Sequence, residues 1–153
     1  MLQAKDYPAG SAIYSYVAPD GTNTHVDSEK LRVWCAEHSS DLEVLNTPVT
    51  AKIAMSFLDG AVIDFRHVER VLALPHLDPI IYGDVGTVGA NGGPDVILID
   101  GHHRYFAAFL CKVPFIPAYV LKPAQWHPFR IEGLPDLTEG QLRAMPTKPR
   151  SGR

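Results

Sequence analysis

The chain is short of cysteine, of long apolar runs and of excess charge of either sign, and each shortage closes off a class of protein. Cys35 and Cys111 are the only cysteines in 153 residues and have no C-x-x-C spacing, so neither a disulfide framework nor a zinc knuckle is expected. No apolar run reaches the roughly 18 residues that a bilayer span requires, and the opening MLQAKDYPAG lacks the apolar region of a secretory signal. The expected setting is the cytoplasm, with no membrane partner. A net charge of -3, with only PTKPRSGR locally basic, withholds the overall attraction to a polyanion, so nucleic acid is a secondary expectation as a partner. The histidines include no H-x-x-x-H pair, and the glycines of GDVGTVGANGGPD match neither G-x-G-x-x-G nor G-x-x-x-x-G-K-[ST]. His25, His38, His67, His76 and His127 therefore read as surface or core residues, and the glycine stretch as a long, mobile hairpin connection.

What is present is an ordinary globular composition, 46% hydrophobic and 20% charged, at a length that suits one domain with its own core. The run Ile13 to Val17 reads as a short strand followed by a Pro-Asp-Gly turn. From Asp27 as N-cap, Leu31, Trp34, Cys35 and His38 fall on one helical face, with Glu29, Lys30, Arg32 and Glu37 mostly on the other. DLEVLNTPV reads as a strand interrupted by Pro48, while AKIAMSFL fits either a strand or a buried helical turn. In DFRHVERVLAL, Asp64 caps a helix whose Val68, Val71 and Leu72 form the apolar face, ended by Pro75. PIIY and DVILI read as paired strands, and HHRYFAAFLC as a helix apolar on most sides. KVPFIPAYVL is a turn and a strand that Pro117 confines to an edge or a bulge. A short helix is expected near Thr138 to Met145, and disorder over residues 146–153.

The chemistry-bearing stretch is DVILIDGHHRYFAAFL, residues 95–110, where a buried strand runs straight into a buried helix through Asp100, Gly101, His102, His103 and Arg104. The first N–H groups of a helix have no intrahelical acceptor and sit at the positive end of its dipole, so such a junction welcomes an anion. Gly101 permits an unusual turn and close approach of a ligand, and Arg104 offers a planar fork for phosphate oxygens. His102 and His103 add ring donors that titrate near neutral pH, and Asp100 can hold a metal ion or accept a hydroxyl proton. Taken singly each has a plain structural role: Asp100 as a cap, a histidine in the core, Arg104 in a surface ion pair. Their contiguity at a strand-to-helix junction favours a site. Adjacent residues on a helix point about 100° apart, so the two histidines do not readily share one metal.

On these residues, VILIDGHHRYFAAFLCKVPFIPAYVL resembles the ParB/sulfiredoxin superfamily, in which a strand ending in a Gly-x-x-Arg turn opens a helix and a strand of this type follows. The resemblance extends back through HVERVLALPHLDPIIYGD, to cover residues 64–122. Sulfiredoxins carry Gly-Cys-His-Arg with the cysteine as nucleophile; His102 stands at that position here, which rejects sulfinic acid reduction. ParB-type partition proteins carry Gly-Glu-Arg-Arg, bind CTP and continue into a helix-turn-helix domain; the residues after the last strand are too few for it, so a complete partition protein is not expected. The Asp-Gly-His-x-Arg form is most similar to the free serine kinase branch, which transfers a phosphoryl group from a nucleotide to a small hydroxyl. That likeness implies that Gly101, His102, His103 and Arg104 contact the phosphates of ATP, ADP or CTP. It also implies that Asp100 sits near the transferred group and that a glutamate from an N-terminal segment acts as base, for which Glu69 and Asp64 are the candidates; phosphoryl transfer usually brings Mg2+ with the phosphates.

The fold expected from the resemblance is a compact α/β (α+β) domain with a small mixed sheet and flanking helices. Residues 61–123 form its core, residues 1–60 an extension packed on that core, residues 124–145 a C-terminal extension and residues 146–153 a tail. The expected function is NTP-dependent phosphoryl transfer to a small hydroxyl-bearing substrate, or NTP hydrolysis. Asp100, His103 and Glu69 are expected to carry the chemistry, Gly101 to Arg104 to bind phosphate, and Asp100 to bind the metal. The alternatives are a ParB-like nucleic-acid-binding or nuclease domain, and a nucleotide-sensing module without catalysis.

Overall fold

The structure is a computed structural model that describes residues 2–3, 5, 13–17, 21–59, 63–75 and 77–133. In chain order its elements are β1 (Leu2–Gln3), β2 (Ile13–Val17), β3 (Asn23–Asp27), α1 (Ser28–Glu37), β4 (Val44–Pro48), α2 (Ala51–Asp59), α3 (Phe65–Leu72), β5 (Ile80–Val88), β6 (Pro94–Asp100), α4 (His102–Leu110), β7 (Phe115–Leu121), α5 (Pro123–Trp126) and β8 (Ile131–Glu132). The main sheet has four strands in the order β4-β7-β5-β6, with β5 and β7 parallel and the other pairs antiparallel. The fold is thus α/β with a small mixed sheet and flanking helices. No helix among the described residues is long and apolar enough to cross a membrane.

Side chains alternate across a strand, and here both faces of the sheet are apolar because both are covered. Ile80, Tyr82, Leu98, Ile116 and Ala118 face one core, completed by Ala54 of α2, Val68 and Val71 of α3 and Tyr105 to Ala108 of α4. Ile81, Ile97, Ile99, Tyr119 and Leu121 face the other, completed by Val26 of β3, Leu31 and Cys35 of α1 and Trp126 of α5. Each fully buried aliphatic side chain contributes roughly 1.5–3 kcal/mol. The N-terminal residues therefore supply much of the cover for the second sheet face, as well as β4, the strand beside β7.

Asp27 caps α1 as expected, its Oδ1 accepting the Lys30 N–H at 2.8 Å. Asp64 caps α3 through the Arg66 N–H at 3.0 Å. The ambiguous AKIAMSFL is helical, and it is tied to α4 from its N-terminal side: the Tyr105 hydroxyl accepts the Thr50 N–H at 2.8 Å and donates to the Pro48 carbonyl at 3.1 Å. The glycine stretch is mostly strand rather than loop. β5 runs on to Val88, and the chain reverses within Gly89 to Gly93, where the Gly89 N–H reaches the Gly93 carbonyl at 2.8 Å.

Leu72, expected on the apolar face of α3, is 45% exposed, and the residues of α3 buried in the core are Val68 and Val71. Of the residues expected mostly on the outward face of α1, Lys30 and Glu37 are exposed while Glu29 and Arg32 are half-buried. β7 is an inner strand, against the expectation that Pro117 confines it to an edge or a bulge. Pro117 pairs with Asn46 of β4, whereas pairing with β5 begins only at Ala118 opposite Ile80; at Pro117 itself the strand has a neighbour on one side, so its missing N–H leaves no ladder bond to β5 unmade. The expected turn at Pro19 and Asp20, His76, the helix near Thr138 to Met145 and the tail over residues 146–153 lie outside the described residues.

Candidate functional site

β6 enters the second core at Ile99, ends at Asp100 and turns out of the sheet at Gly101, whose φ of 116° lies in the left-handed region that glycine favours. A Cβ there would collide with the Ile80 side chain, so the glycine serves both backbone conformation and close packing. The Tyr105 N–H then donates to the Gly101 carbonyl at 2.8 Å as α4 begins. No side chain caps α4, and the amides of its first turn, from His102 to Arg104, are the donors that a helix leaves without an intrahelical acceptor.

Arg104 does not present its fork outward. The side chain is 2% exposed; its Nη2 donates to Asp100 Oδ2 at 2.7 Å, and its Nη1 donates to the carbonyls of Asp78 and Pro79 at 3.1 and 3.0 Å. Asp100 is fully buried in this pair, bracing the end of β6 against the first turn of α4. Burial, opposed by the Asp78 carboxylate and assisted by the Arg32 cation, pulls the Arg104 pKa down to about 10, so the guanidinium keeps its charge at neutral pH. The Arg104 Nε is enclosed and has no hydrogen-bond partner among the described residues.

His102 packs between the rings of Tyr14, stacked at 5.7 Å, and Phe57, edge-on at 4.9 Å. Burial, and then the Arg104 cation, lower its pKa to about 4. His103 looks toward α3: its Nε2 accepts the Asp64 N–H at 3.0 Å, which places the ring proton on Nδ1, and the His67 ring stacks on it at 4.1 Å. Burial lowers its pKa to about 4 as well, with His67, His102 and Arg70 adding to the fall and Asp64 opposing it. Both imidazoles are neutral at pH 7, so they offer hydrogen bonds rather than charge.

Among the other expected groups, Glu69 is exposed on α3, and α3 meets the turn through His67 and the capping Asp64. Two residues along a helix amount to about 200° of rotation, which takes Glu69 away from the face that His67 presents to His103. Asp64 is therefore the candidate base nearer the turn. Asp100 does not suit Mg2+, which keeps several waters and binds carboxylates beside phosphates; this carboxylate is fully buried and engaged by Arg104. No group of three or more His, Cys, Asp or Glu side chains among the described residues is arranged to hold a metal ion. An open groove lies elsewhere, between α1 and Phe129, lined by Trp34, Val33 and Glu37.

Two neighbours of the turn, Tyr14 and His67, were not singled out by any motif in the sequence. His67 carries a helical signal, lying one residue before Val68 and four before the buried Val71 on α3. Tyr14 reaches His102 across more than eighty residues of sequence, which no local pattern encodes. Compared with models of known protein families and with curated proteins, the chain matches none.

Proposed function

We propose that the chain is a cytoplasmic ParB/sulfiredoxin-type protein that binds a nucleotide through its phosphates at the turn from Gly101 to Arg104, and that it transfers or hydrolyses the terminal phosphate. The observation that carries this reading is the uncapped first turn of α4, opened by a left-handed glycine and braced by a buried ion pair. Backbone amides at a helix N-terminus bind phosphate oxygens without needing a charged side chain to reorganise. Arg104 acts as a brace and as a buried positive charge behind the turn, while Arg70 adds positive potential on the α3 side. The free thiols, Cys35 buried and Cys111 exposed, suit a reducing compartment.

Phosphoryl transfer asks a protein chiefly for positioning and charge stabilisation. In this reading the α4 amides seat the terminal phosphate, the ring N–H of His103 donates to one of its oxygens, and Asp64 accepts the proton of the attacking hydroxyl, from water or from a small alcohol. ATP, ADP and CTP are the nucleotides to test; Mg2+ would arrive with the phosphates rather than on Asp100.

The test is thermal unfolding with each nucleotide, with and without Mg2+, followed by an assay of phosphate release and transfer. A nucleotide at 100 times its Kd stabilises the folded state by about 2.7 kcal/mol. Stabilisation with phosphate release supports catalysis; stabilisation alone leaves the nucleotide-sensing alternative. Absence of any stabilisation removes the reading, and plasmid nicking would put the nuclease alternative in its place.

A further inference from the structure

The main sheet is finished differently at its two edges. β6 is flanked by β2 and α1, whereas β4 pairs with β7 on one side and, among the described residues, with no strand on the other. Natural edges are commonly blunted by charged side chains, yet Val44–Pro48 contains none, and its Val44 and Leu45 are 49% and 41% exposed. The direction of its backbone groups follows from the ladder. Val49 stands opposite Pro114, one step beyond the pair of Pro48 with Phe115, and donates its N–H to the Pro114 carbonyl at 2.9 Å. Hydrogen-bonded and non-hydrogen-bonded pairs alternate along an antiparallel ladder. Leu45 and Thr47 therefore turn their N–H and C=O groups to β7, and Val44 and Asn46 turn theirs outward.

A proline and a tyrosine close the edge beyond Asn46. Pro48 has no N–H, and its carbonyl accepts the Tyr105 hydroxyl, which in turn accepts the Thr50 N–H. What stays open, the backbone groups of Val44 and Asn46, is self-complementary. An antiparallel copy with its axis at Leu45 sets Val44 opposite the partner's Asn46, where each donates its N–H to the other's carbonyl. It also sets Leu45 against the partner's Leu45 in the closer, non-hydrogen-bonded pairing. Moving the axis to Asn46 would bring Val44 opposite the partner's Pro48 and leave the Val44 carbonyl without a donor, so the proline selects the register. The antiparallel arrangement further brings Asp41 and Glu43, exposed before β4, toward the end of the partner strand that leads to the exposed Lys52.

We propose that the outer edge of β4 is a dimer interface, in which two copies of this chain pair their β4 strands antiparallel about a two-fold axis at Leu45 and join their four-stranded sheets into one. The occupant is a second copy rather than an unrelated strand, because a two-fold axis doubles every contact that so short an edge can make and returns the acidic end of the strand to its own cationic end. The α4 turn follows β6, at the other edge of the sheet, and the proposal does not depend on the nucleotide reading.

Sedimentation of the full chain at concentrations up to about 1 mM is expected to show a mass that rises with concentration toward that of two chains. Leu45→Lys, which sets like charges against each other across the axis, is expected to weaken the dimer by about tenfold or more. Met55→Lys, at an exposed position of α2, is expected to stay within about twofold of wild type. Cysteine pairing reads the register, in a background where the exposed Cys111 is replaced by Cys111→Ser. Leu45→Cys is expected to form a covalent dimer under mild oxidation, its Cβ atoms about 4.5–5.5 Å apart across the axis; Thr47→Cys, which falls opposite the partner's Glu43, is expected to do so about tenfold more slowly or less. A chain that stays monomeric at about 1 mM overturns the proposal, as does a dimer that Leu45→Lys leaves at wild-type affinity. If that variant does not fold, equal rates of cross-linking for Leu45→Cys and Thr47→Cys overturn it.

Discussion

Asp100 and Arg104 stand four apart across a strand-to-helix junction, and their pairing changes what a mutation at either position would mean. Removing one partner of a buried ion pair leaves the other charge uncompensated, typically at a cost of about 3–5 kcal/mol. Arg104→Ala and Asp100→Ala should each show a loss of that order in urea unfolding, with no ligand present. A loss of function in Arg104→Ala would then report a damaged fold, and wild-type stability in either variant would contradict the brace. Gly101→Ala should lose roughly 1–3 kcal/mol by the same measurement, from overpacking against Ile80 and a left-handed φ. The residue types at this turn were legible from DGHHR, but the direction in which Arg104 points was not. Its fork is taken by carbonyls of Asp78 and Pro79, more than twenty residues earlier, and no short motif encodes that reach.

At the scale of elements, α3 is held to α4 by a neutral imidazole, and this makes the contact sensitive to acid. His103 accepts the Asp64 N–H through Nε2, a bond that protonation of Nε2 removes. The folded-state pKa values of His102 and His103 are depressed to about 4, against about 6.5 in the unfolded chain. Between those values the unfolded state binds more protons, so stability is fully present above pH 6.5 and is lost as pH falls toward 4, by roughly 1 kcal/mol per pH unit for each imidazole. Urea midpoints at pH 7.5, 6 and 5 check this, and His103→Phe should flatten the slope. A flat profile in the wild-type chain would contradict the packing described for both rings.

The same scale shows where patterns in the sequence suffice. α1 and α3 announced themselves by a capping aspartate and an apolar period, and β5 and β6 by β-rich runs. AKIAMSFL was ambiguous because a short apolar run fits either period; its helix docks on α4, and Ala54 enters the core there. The inner position of β7 was hidden because it depends on where β5 begins, opposite Ala118 and one residue past the proline.

For the whole molecule, a sheet with apolar side chains on both faces needs two covers, and β3 and α1 belong to the second. Deleting residues 1–37 would strip Val26, Leu31 and Cys35 from Ile81, Ile97 and Ile99; the truncated chain should lose its cooperative thermal transition, as read by circular dichroism. A sharp transition in that fragment would show the second cover to be dispensable. With a net charge of -3, the nucleotide binding proposed above would have to draw on the local field of Arg70 and Arg104, and the predicted affinity would fall as salt rises. The proposed function requires phosphate to bind at the α4 N-terminus. Titration of ATP into the isotopically labelled chain, followed by amide nuclear magnetic resonance, reads that place directly. The backbone amides of His102, His103 and Arg104 should shift more than any others and saturate together, whereas saturable ATP binding that leaves those amides unmoved would contradict the account.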